Sequence, residues 1–168
     1  MTSIVSIIMG STSDLPVMEK AAKFLDDMDV PFEMNALSAH RTPAEVESFA
    51  RNAKARGIRV IIAGAGMAAA LPGVIAASTT VPVIGVPIKG MLDGLDAMLS
   101  IIQMPPGIPV ATVGVNGAQN AAILAVEMLA LADEALAKRL EQYKDSLKEK
   151  IVKANAELAT VCYKNKTN

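Results

Sequence analysis

Residues 4–28 read IVSIIMGSTSDLPVMEKAAKFLDDM, and this stretch decides the fold. Ile4 to Met9 form a short apolar run, and such a run is typical of a buried strand. Gly10 to Asp14 are small or polar, and from Leu15 to Met28 apolar residues recur at helical spacing. The stretch therefore predicts a strand, a loop and a helix, in that order.

The same alternation continues along the chain. Pro31 to Leu37 predict a second strand, and Pro43 to Arg56 predict a helix that starts at Thr42 and Pro43 and stops at Gly57. Further on, apolar runs of strand length alternate with segments of helical spacing. The runs are 60–63, 81–86 and 110–115, and the helical segments are 71–78 and 92–103.

Strands that are apolar on both faces belong in parallel sheets covered by helices on each side. We therefore predict a single domain over residues 1–168, built as a three-layer α/β/α sandwich with a parallel, flavodoxin-like sheet over about residues 4–132. The helical pattern from Ala118 to Leu158 includes a long amphipathic C-terminal helix over about residues 134–158. Its apolar stripe either packs on its own domain or reaches a neighbouring subunit.

Composition excludes several classes of function. The 168 residues carry 16 Lys and Arg against 17 Asp and Glu, and aromatic residues make up only 3%, so a polymeric nucleic acid is not expected as a partner. No apolar stretch reaches the roughly 20 residues that span a bilayer, and the N-terminus lacks a basic signal region, so we expect a cytoplasmic protein with no membrane contact. A hydrophobic content of 52% with ten Met indicates buried subunit contacts.

The first candidate loop is Gly10-Ser11-Thr12-Ser13-Asp14, which offers hydroxyls and free backbone N–H groups at the start of a helix. This setting suits a phosphate group. The carboxylate of Asp14 would repel a phosphate unless it faces another part of the ligand, such as ribose hydroxyls, and this points to a nucleotide. Asp14 is also a candidate for capping the helix.

The second candidate loop, residues 38–43, follows the second strand and reads SAHRTP. It contains His40, the only histidine of the chain, and an imidazole ordinarily titrates near neutral pH, where it can carry protons. Arg41 is able to grip a phosphate with two hydrogen bonds. A purely structural role for His40 remains the competing interpretation.

The third candidate loop, residues 64–73, reads GAGMAAALPG. Its small residues would let a planar ligand approach the backbone. It also matches the dinucleotide pattern G-x-G-x-x-A, but it follows the third strand and no acidic residue stands about 20 positions later, which disfavours that interpretation. With one His and one Cys, Cys162, the chain offers no His/Cys metal cluster, and we predict no metal.

Together these loops resemble the N(5)-carboxyaminoimidazole ribonucleotide mutase family. The matching motifs are GSTSD at 10–14, SAHRTP at 38–43, GAG at 64–66, LPG at 71–73 and SIIQMP at 100–105. The resemblance implies an isomerase of purine biosynthesis that needs no cofactor, binds an imidazole ribonucleotide and assembles as a homo-octamer. It also implies that the carboxyl group leaves as carbon dioxide, stays trapped and returns to carbon 4 of the same imidazole.

The resemblance assigns roles to residues of this chain. His40 is implied as the general acid and base, and Asp14 as the residue that faces the ribose. The substrate phosphate or its surroundings are implied to contact Ser11, Ser13, Ser38 and Arg41, with Ala39 between the last two. The base and carbon dioxide are implied to lie along Gly66, Ala68 and Leu71. One position departs from the family, which usually has His where this chain has Ala70.

Two alternatives remain. A related enzyme carboxylates aminoimidazole ribonucleotide directly with free carbon dioxide, but that branch resembles a Ser-Ala-His-Lys loop, whereas this chain has Arg41. The other alternative is a nucleotide-binding module without catalysis, which Ala70 keeps open. The mutase is favoured over the carboxylase because this chain has Arg41 and the GAG and LPG motifs of the third loop, and over the binding module because binding alone does not require a titratable His.

Overall fold

A computed structural model describes residues 4–167 of the chain. The strands are β1 (Val5–Met9), β2 (Phe32–Ala36), β3 (Val60–Gly66), β4 (Val83–Ile88) and β5 (Ala111–Thr112). The helices are α1 (Leu15–Asp27), α2 (Pro43–Ala53), α3 (Leu71–Ala77), α4 (Leu95–Ile102), α5 (Ala118–Ala130) and α6 (Glu134–Ala159). A single 3₁₀ turn, Thr12–Asp14, precedes α1.

The five strands form one parallel sheet in the order β2-β1-β3-β4-β5. Neighbouring residues of a strand point to opposite faces, so Ile7 enters one core and Ile8 the other. Helices α1, α5 and α6 cover the first face, and α2, α3 and α4 cover the second. The predicted three-layer sandwich with a parallel sheet is therefore confirmed.

Several element boundaries differ from the sequence predictions: α2 ends at Ala53 instead of Arg56, and β4 covers Val83–Ile88 instead of 81–86. Strand β5 is two residues long instead of spanning 110–115, and beyond it the backbone turns at Asn116, where φ is 57°. Helix α4 begins at Leu95 instead of Leu92, because Leu92 and Asp93 have φ values of 49° and 54° that no right-handed helix accommodates. The helical pattern from Ala118 is likewise broken at residues 131–133.

Asp133 is responsible for the start of α6 after that break. Its backbone is extended, and its side chain accepts a hydrogen bond from the N–H of Leu136 at 3.0 Å, which is the usual N-cap contact. The preceding helix α5 ends at Ala130, so the chain can turn and lay α6 against α5. The predicted long C-terminal helix is present, as a separate element.

The apolar stripe of α6 divides into two parts. Leu136 and Leu140 are buried, and the ring of Tyr143 packs edge-on against Phe24 with centroids 4.9 Å apart. Farther along, Ile151 is 65% exposed and Leu158 is 58% exposed. The first half of the stripe thus packs on its own domain, whereas no element within residues 4–167 covers the second half.

None of the helices within residues 4–167 combines the length and the apolar content needed to cross a membrane. The longest, α6, has 26 residues, but Lys and Glu side chains recur along it.

Candidate functional site

The loops that follow β1, β2 and β3 meet at one edge of the sheet, since the carboxyl ends of parallel strands lie on the same side. They enclose an open cavity of about 460 Å³, which falls within the usual range for small-molecule sites. All ten residues singled out in the sequence line it: Ser11, Ser13, Asp14, Ser38, Ala39, His40, Arg41, Gly66, Ala68 and Leu71. Gly10, Ala65, Met67 and Ala70, which belong to the same loops, complete the wall.

The first loop presents hydroxyls at the start of the 3₁₀ turn. Ser11 has an extended backbone, and its Oγ accepts a hydrogen bond from the N–H of Ser13 at 3.3 Å. Ser11 therefore caps the turn. Asp14 stands at the N-cap position of α1 but makes no capping hydrogen bond, so the interpretation of Asp14 as a helix cap is wrong. Asp14 belongs to the 3₁₀ turn and has helical backbone angles, whereas a capping residue usually has extended ones. Its carboxylate lines the cavity instead.

Burial in the cavity wall raises the pKa of the Asp14 carboxyl above its ordinary value. Hydrogen bonds from Ser11, Ser13 and Gly10 oppose this rise, and the positive charge of Arg41 opposes it further. Desolvation outweighs these contacts, so the pKa moves upward. The carboxylate is thus held in a place where its charge is poorly solvated, and a ligand hydroxyl that donates to it would relieve that cost.

The second loop is a closed turn that presents His40. The N–H of Thr42 donates to the carbonyl of Ser38 at 2.8 Å, and the N–H of Ser38 donates to Oγ1 of Thr42 at 2.9 Å. His40 lies in the middle of this turn with its side chain exposed to the cavity. Within residues 4–167 its imidazole has no hydrogen-bond partner, which leaves both ring nitrogens available to a ligand.

Arg41 joins the second loop to the first. Its Nη2 donates to the carbonyl of Gly10 at 2.8 Å, and its Nε donates to Oγ of Ser38 at 3.3 Å. A guanidinium group has five N–H donors, so these two bonds leave others free to meet an anion in the cavity. Arg41 therefore both braces the two loops and supplies positive charge beside them.

The third loop brings backbone close to the cavity. A Cβ at Gly66 would lie 3.3 Å from the carbonyl oxygen of Ile88, so little room exists for any larger residue there. Met67 has a φ of 54° and an exposed side chain, and Leu71 is buried at the start of α3. The side chains of Ala68 and Ala70 are only methyl groups. A flat ligand can consequently approach this segment at van der Waals distance.

The chemistry available at the site follows from these groups. One imidazole can take up and release a proton, one guanidinium and several N–H groups can bind an anion, and one carboxylate can accept hydrogen bonds. No group of three or more His, Cys, Asp or Glu residues that could hold a metal ion occurs in residues 4–167. The arrangement suits a phosphorylated ligand whose reaction involves proton transfer.

Comparison with known proteins gives a consistent result. The model of the AIR carboxylase family matches residues 4–150. The N5-carboxyaminoimidazole ribonucleotide mutase of Pyrococcus abyssi is 60% identical over 145 residues, which cover 86% of this chain and 83% of that protein. The phosphoribosylaminoimidazole carboxylase of Candida glabrata is 52% identical over 161 residues, which cover 95% of this chain but only 28% of the longer fungal protein.

A solved structure is similar along almost the whole chain. The crystal structure of Treponema denticola PurE aligns with a TM-score of 0.84 at 31% identity, covering 92% of this chain and 97% of that one. The likeness therefore extends over most of the fold described above.

Proposed function

The chain belongs to the AIR carboxylase family, and from that premise we propose that it is an N5-carboxyaminoimidazole ribonucleotide mutase of purine biosynthesis. It is an isomerase that converts N(5)-carboxyaminoimidazole ribonucleotide to 4-carboxy-5-aminoimidazole ribonucleotide. The Pyrococcus abyssi relative supports this function, since it bears that name and covers most of this chain. The observation that carries the mechanism is the unpartnered imidazole of His40 in a cavity lined by hydroxyls and a guanidinium group.

His40 serves as both acid and base in the proposed reaction. The bond between the carbamate carbon and N5 breaks, carbon dioxide leaves, and the nitrogen receives a proton from the imidazolium of His40. Carbon 4 of the imidazole ring then bonds to the carbon dioxide, and the proton on carbon 4 passes to the now neutral His40. Substrate and product are isomers, so the cycle needs no net oxidant or reductant, and His40 alone supplies and removes the proton in the proposed steps.

Substrate binding is divided among the three loops. The phosphate binds to Ser11, Ser13, Ser38 and Arg41, where hydroxyls, N–H groups and a cation converge. Asp14 accepts hydrogen bonds from the ribose hydroxyls, which offsets the desolvation of its carboxylate. Ala39 contributes backbone beside His40.

The third loop holds the base and the carbon dioxide. Gly66, Ala68 and Leu71 form a wall with few polar side-chain atoms, and an apolar wall limits water around a gas that must not escape. Ala70 lies in the same wall where the family usually has His. The proposed reaction needs one proton carrier, and His40 provides it, so Ala70 is compatible with turnover.

Assembly and location complete the proposal. We expect a cytoplasmic homo-octamer of this single-domain chain. The support is the apolar surface that the single chain leaves uncovered: Leu95, Leu99 and Ile102 are about half exposed along α4, and the second half of the α6 stripe is exposed as well. Exposed apolar patches of this kind often mark a surface that another protein chain covers.

The direct carboxylase is the competing function, since the Candida glabrata relative is named a carboxylase. Turnover of N(5)-carboxyaminoimidazole ribonucleotide in ¹³C-labelled bicarbonate separates the two. A mutase that traps its carbon dioxide forms unlabelled product and needs no bicarbonate. Product that takes up the label in proportion to its abundance in solution would replace the mutase proposal with the carboxylase.

A further inference from the structure

Thr42 occupies the position before the first residue of α2, but its side chain does not cap that helix. Threonine at this position ordinarily accepts a hydrogen bond from an N–H group in the first turn of the helix. In this chain the hydroxyl points away from α2 and back toward Ser38. Its hydrogen-bonding capacity is therefore used by the loop that contains His40.

The Thr42 hydroxyl binds both polar groups of the Ser38 backbone. It accepts a hydrogen bond from the N–H of Ser38 at 2.9 Å and donates one to the carbonyl of Ser38 at 3.1 Å. Ser38 and Thr42 are half-buried, whereas His40 and Arg41 between them are exposed. The hydroxyl thus links the two ends of the turn, Ser38 and Thr42, at a point that is partly shielded from water.

His40 depends on this closure more than its neighbours do. Since its imidazole has no hydrogen-bond partner among the described residues, the backbone of the turn is what directs the side chain toward the cavity. Arg41 is connected to the same point, because Ser38 Oγ accepts hydrogen bonds from both the backbone N and the Nε of Arg41, at 3.2 and 3.3 Å. Fixing Ser38 consequently fixes both side chains.

We propose that Thr42 is a positioning residue for the isomerase reaction, acting through its hydroxyl to hold the turn that carries His40. This inference rests on the proposed function of His40. Misplacing an acid or base by about 1 Å costs about 100-fold in rate, while ligand contacts elsewhere stay intact. Ser38 and Arg41 share this turn with His40, so the loss of Thr42 also weakens phosphate binding, but the hydroxyls of the first loop remain and kcat falls more than KM rises.

The test compares three single variants of the full-length protein. Thr42→Val removes the hydroxyl at nearly constant volume, and Thr42→Ser keeps it. Thr79→Val is the matched control, since Thr79 Oγ1 also accepts a hydrogen bond from a backbone N–H, that of Val81 at 3.2 Å, but lies before β4 at the far edge of the sheet. Thr42→Ala replaces the valine variant if that variant does not fold.

The expected result is a split between kinetic constants. Thr42→Val lowers kcat about 10- to 100-fold and raises KM by a smaller factor, at most about fivefold, because Ser38 and Arg41 lose part of their support. Thr42→Ser retains at least about a third of the wild-type kcat, and Thr79→Val keeps wild-type kinetics. Both valine variants lose similar thermal stability, so a purely structural role of Thr42 would not produce the difference in kcat.

The inference would be overturned by a wild-type kcat in Thr42→Val, or by an equal loss of kcat in Thr42→Ser and Thr42→Val. A rise in KM without a fall in kcat would overturn it as well, because it would make Thr42 part of substrate binding. Failure of the proposed function is recognised separately, since the wild-type protein itself would then not convert the substrate.

Discussion

The partly buried carboxyl of Asp14 lowers the stability of the folded protein at neutral pH. Its pKa in the native protein lies above the value in the unfolded chain, chiefly because of burial. Between the two values the native state binds the additional proton, and its stability therefore falls as the pH rises through that window. At neutral pH the ionised carboxylate destabilises the empty site, and substrate binding would recover this cost.

Asp14→Asn should consequently stabilise the free protein at pH 7. Since the side chain remains partly exposed, we expect less than about 1 kcal/mol and a rise in Tm of at most about 4 °C. Thermal unfolding measured at decreasing pH should show the difference from wild type shrinking as the wild-type carboxyl becomes protonated. A variant that is less stable than wild type at pH 7 would show that the hydrogen bonds to Asp14 outweigh its desolvation.

Ala70 allows a second prediction at the scale of one residue. Its backbone has ordinary right-handed helical angles and its side chain lines the cavity, so the loop accepts a larger residue. Ala70→His restores the residue that the family usually has, and we expect kcat to change by no more than about threefold, because His40 already carries the proton. Steady-state kinetics would contradict this if the variant gained tenfold or more.

The sequence predicted which residues meet at the site but not all that they do. Ser11, His40 and Gly66 follow three neighbouring parallel strands, and this topology alone brings their loops to one edge. For Asp14 the sequence predicted both a ligand contact and a helix cap, and the structure shows it in the cavity wall without a capping hydrogen bond. The role of Thr42 was not predictable, since it occupies an N-cap position where threonine normally caps, and only the three-dimensional arrangement shows that it closes a turn.

At the scale of elements, the close contact between β4 and α4 depends on Gly85. A Cβ there would lie 2.5 Å from Cγ2 of Ile101 and 3.2 Å from Cγ1 of Val110. Overpacking of this kind costs about 1–3 kcal/mol, so Gly85→Ala should lower Tm by several degrees. Gly114→Ala is the matched control, because a Cβ at Gly114 meets no atom within 4 Å. Equal melting temperatures for the two variants would show that α4 shifts without cost.

Element boundaries were predicted less well than element types. Apolar runs identified β3 and β4 because burial on both faces leaves a continuous apolar pattern. The apolar run predicted for β5 also continues through residues 113–115 beyond its end, and the helical spacing predicted for α4 includes Leu92, where the backbone is left-handed. The hydropathy pattern carries no information on backbone torsion angles, so the predicted ranges of α4 and β5 were too long.

At the scale of the whole molecule, the exposed half of the α6 stripe supports assembly of several chains. Leu147 and Ile151 are not needed for the fold of one chain, as they are 41% and 65% exposed. We predict that the double variant Leu147→Glu, Ile151→Glu folds but dissociates from the octamer, because two carboxylates in an apolar contact have no partners. Light scattering after size exclusion measures the mass, and circular dichroism checks the fold.

A matched control places the same charges on the opposite face of α6. Gln142→Glu with Ala156→Glu adds two carboxylates about half a turn away from the stripe, and we expect it to remain octameric. An undisturbed octamer in the stripe variant would remove α6 from the interface. A wild-type protein that is a stable monomer in solution would contradict the assembly itself.

The proposed role of His40 in the mutase reaction is tested by turnover of N(5)-carboxyaminoimidazole ribonucleotide. Turnover and nucleotide binding are measured for the wild-type protein and for His40→Asn. We predict that wild type converts the substrate without added bicarbonate, and that His40→Asn loses about 10²- to 10⁴-fold in kcat while it still binds the nucleotide. Asparagine is close in size to part of the imidazole, but its amide neither takes up nor releases a proton near neutral pH. A variant with kcat within a few-fold of wild type would contradict the central claim that His40 is the acid and base of this site.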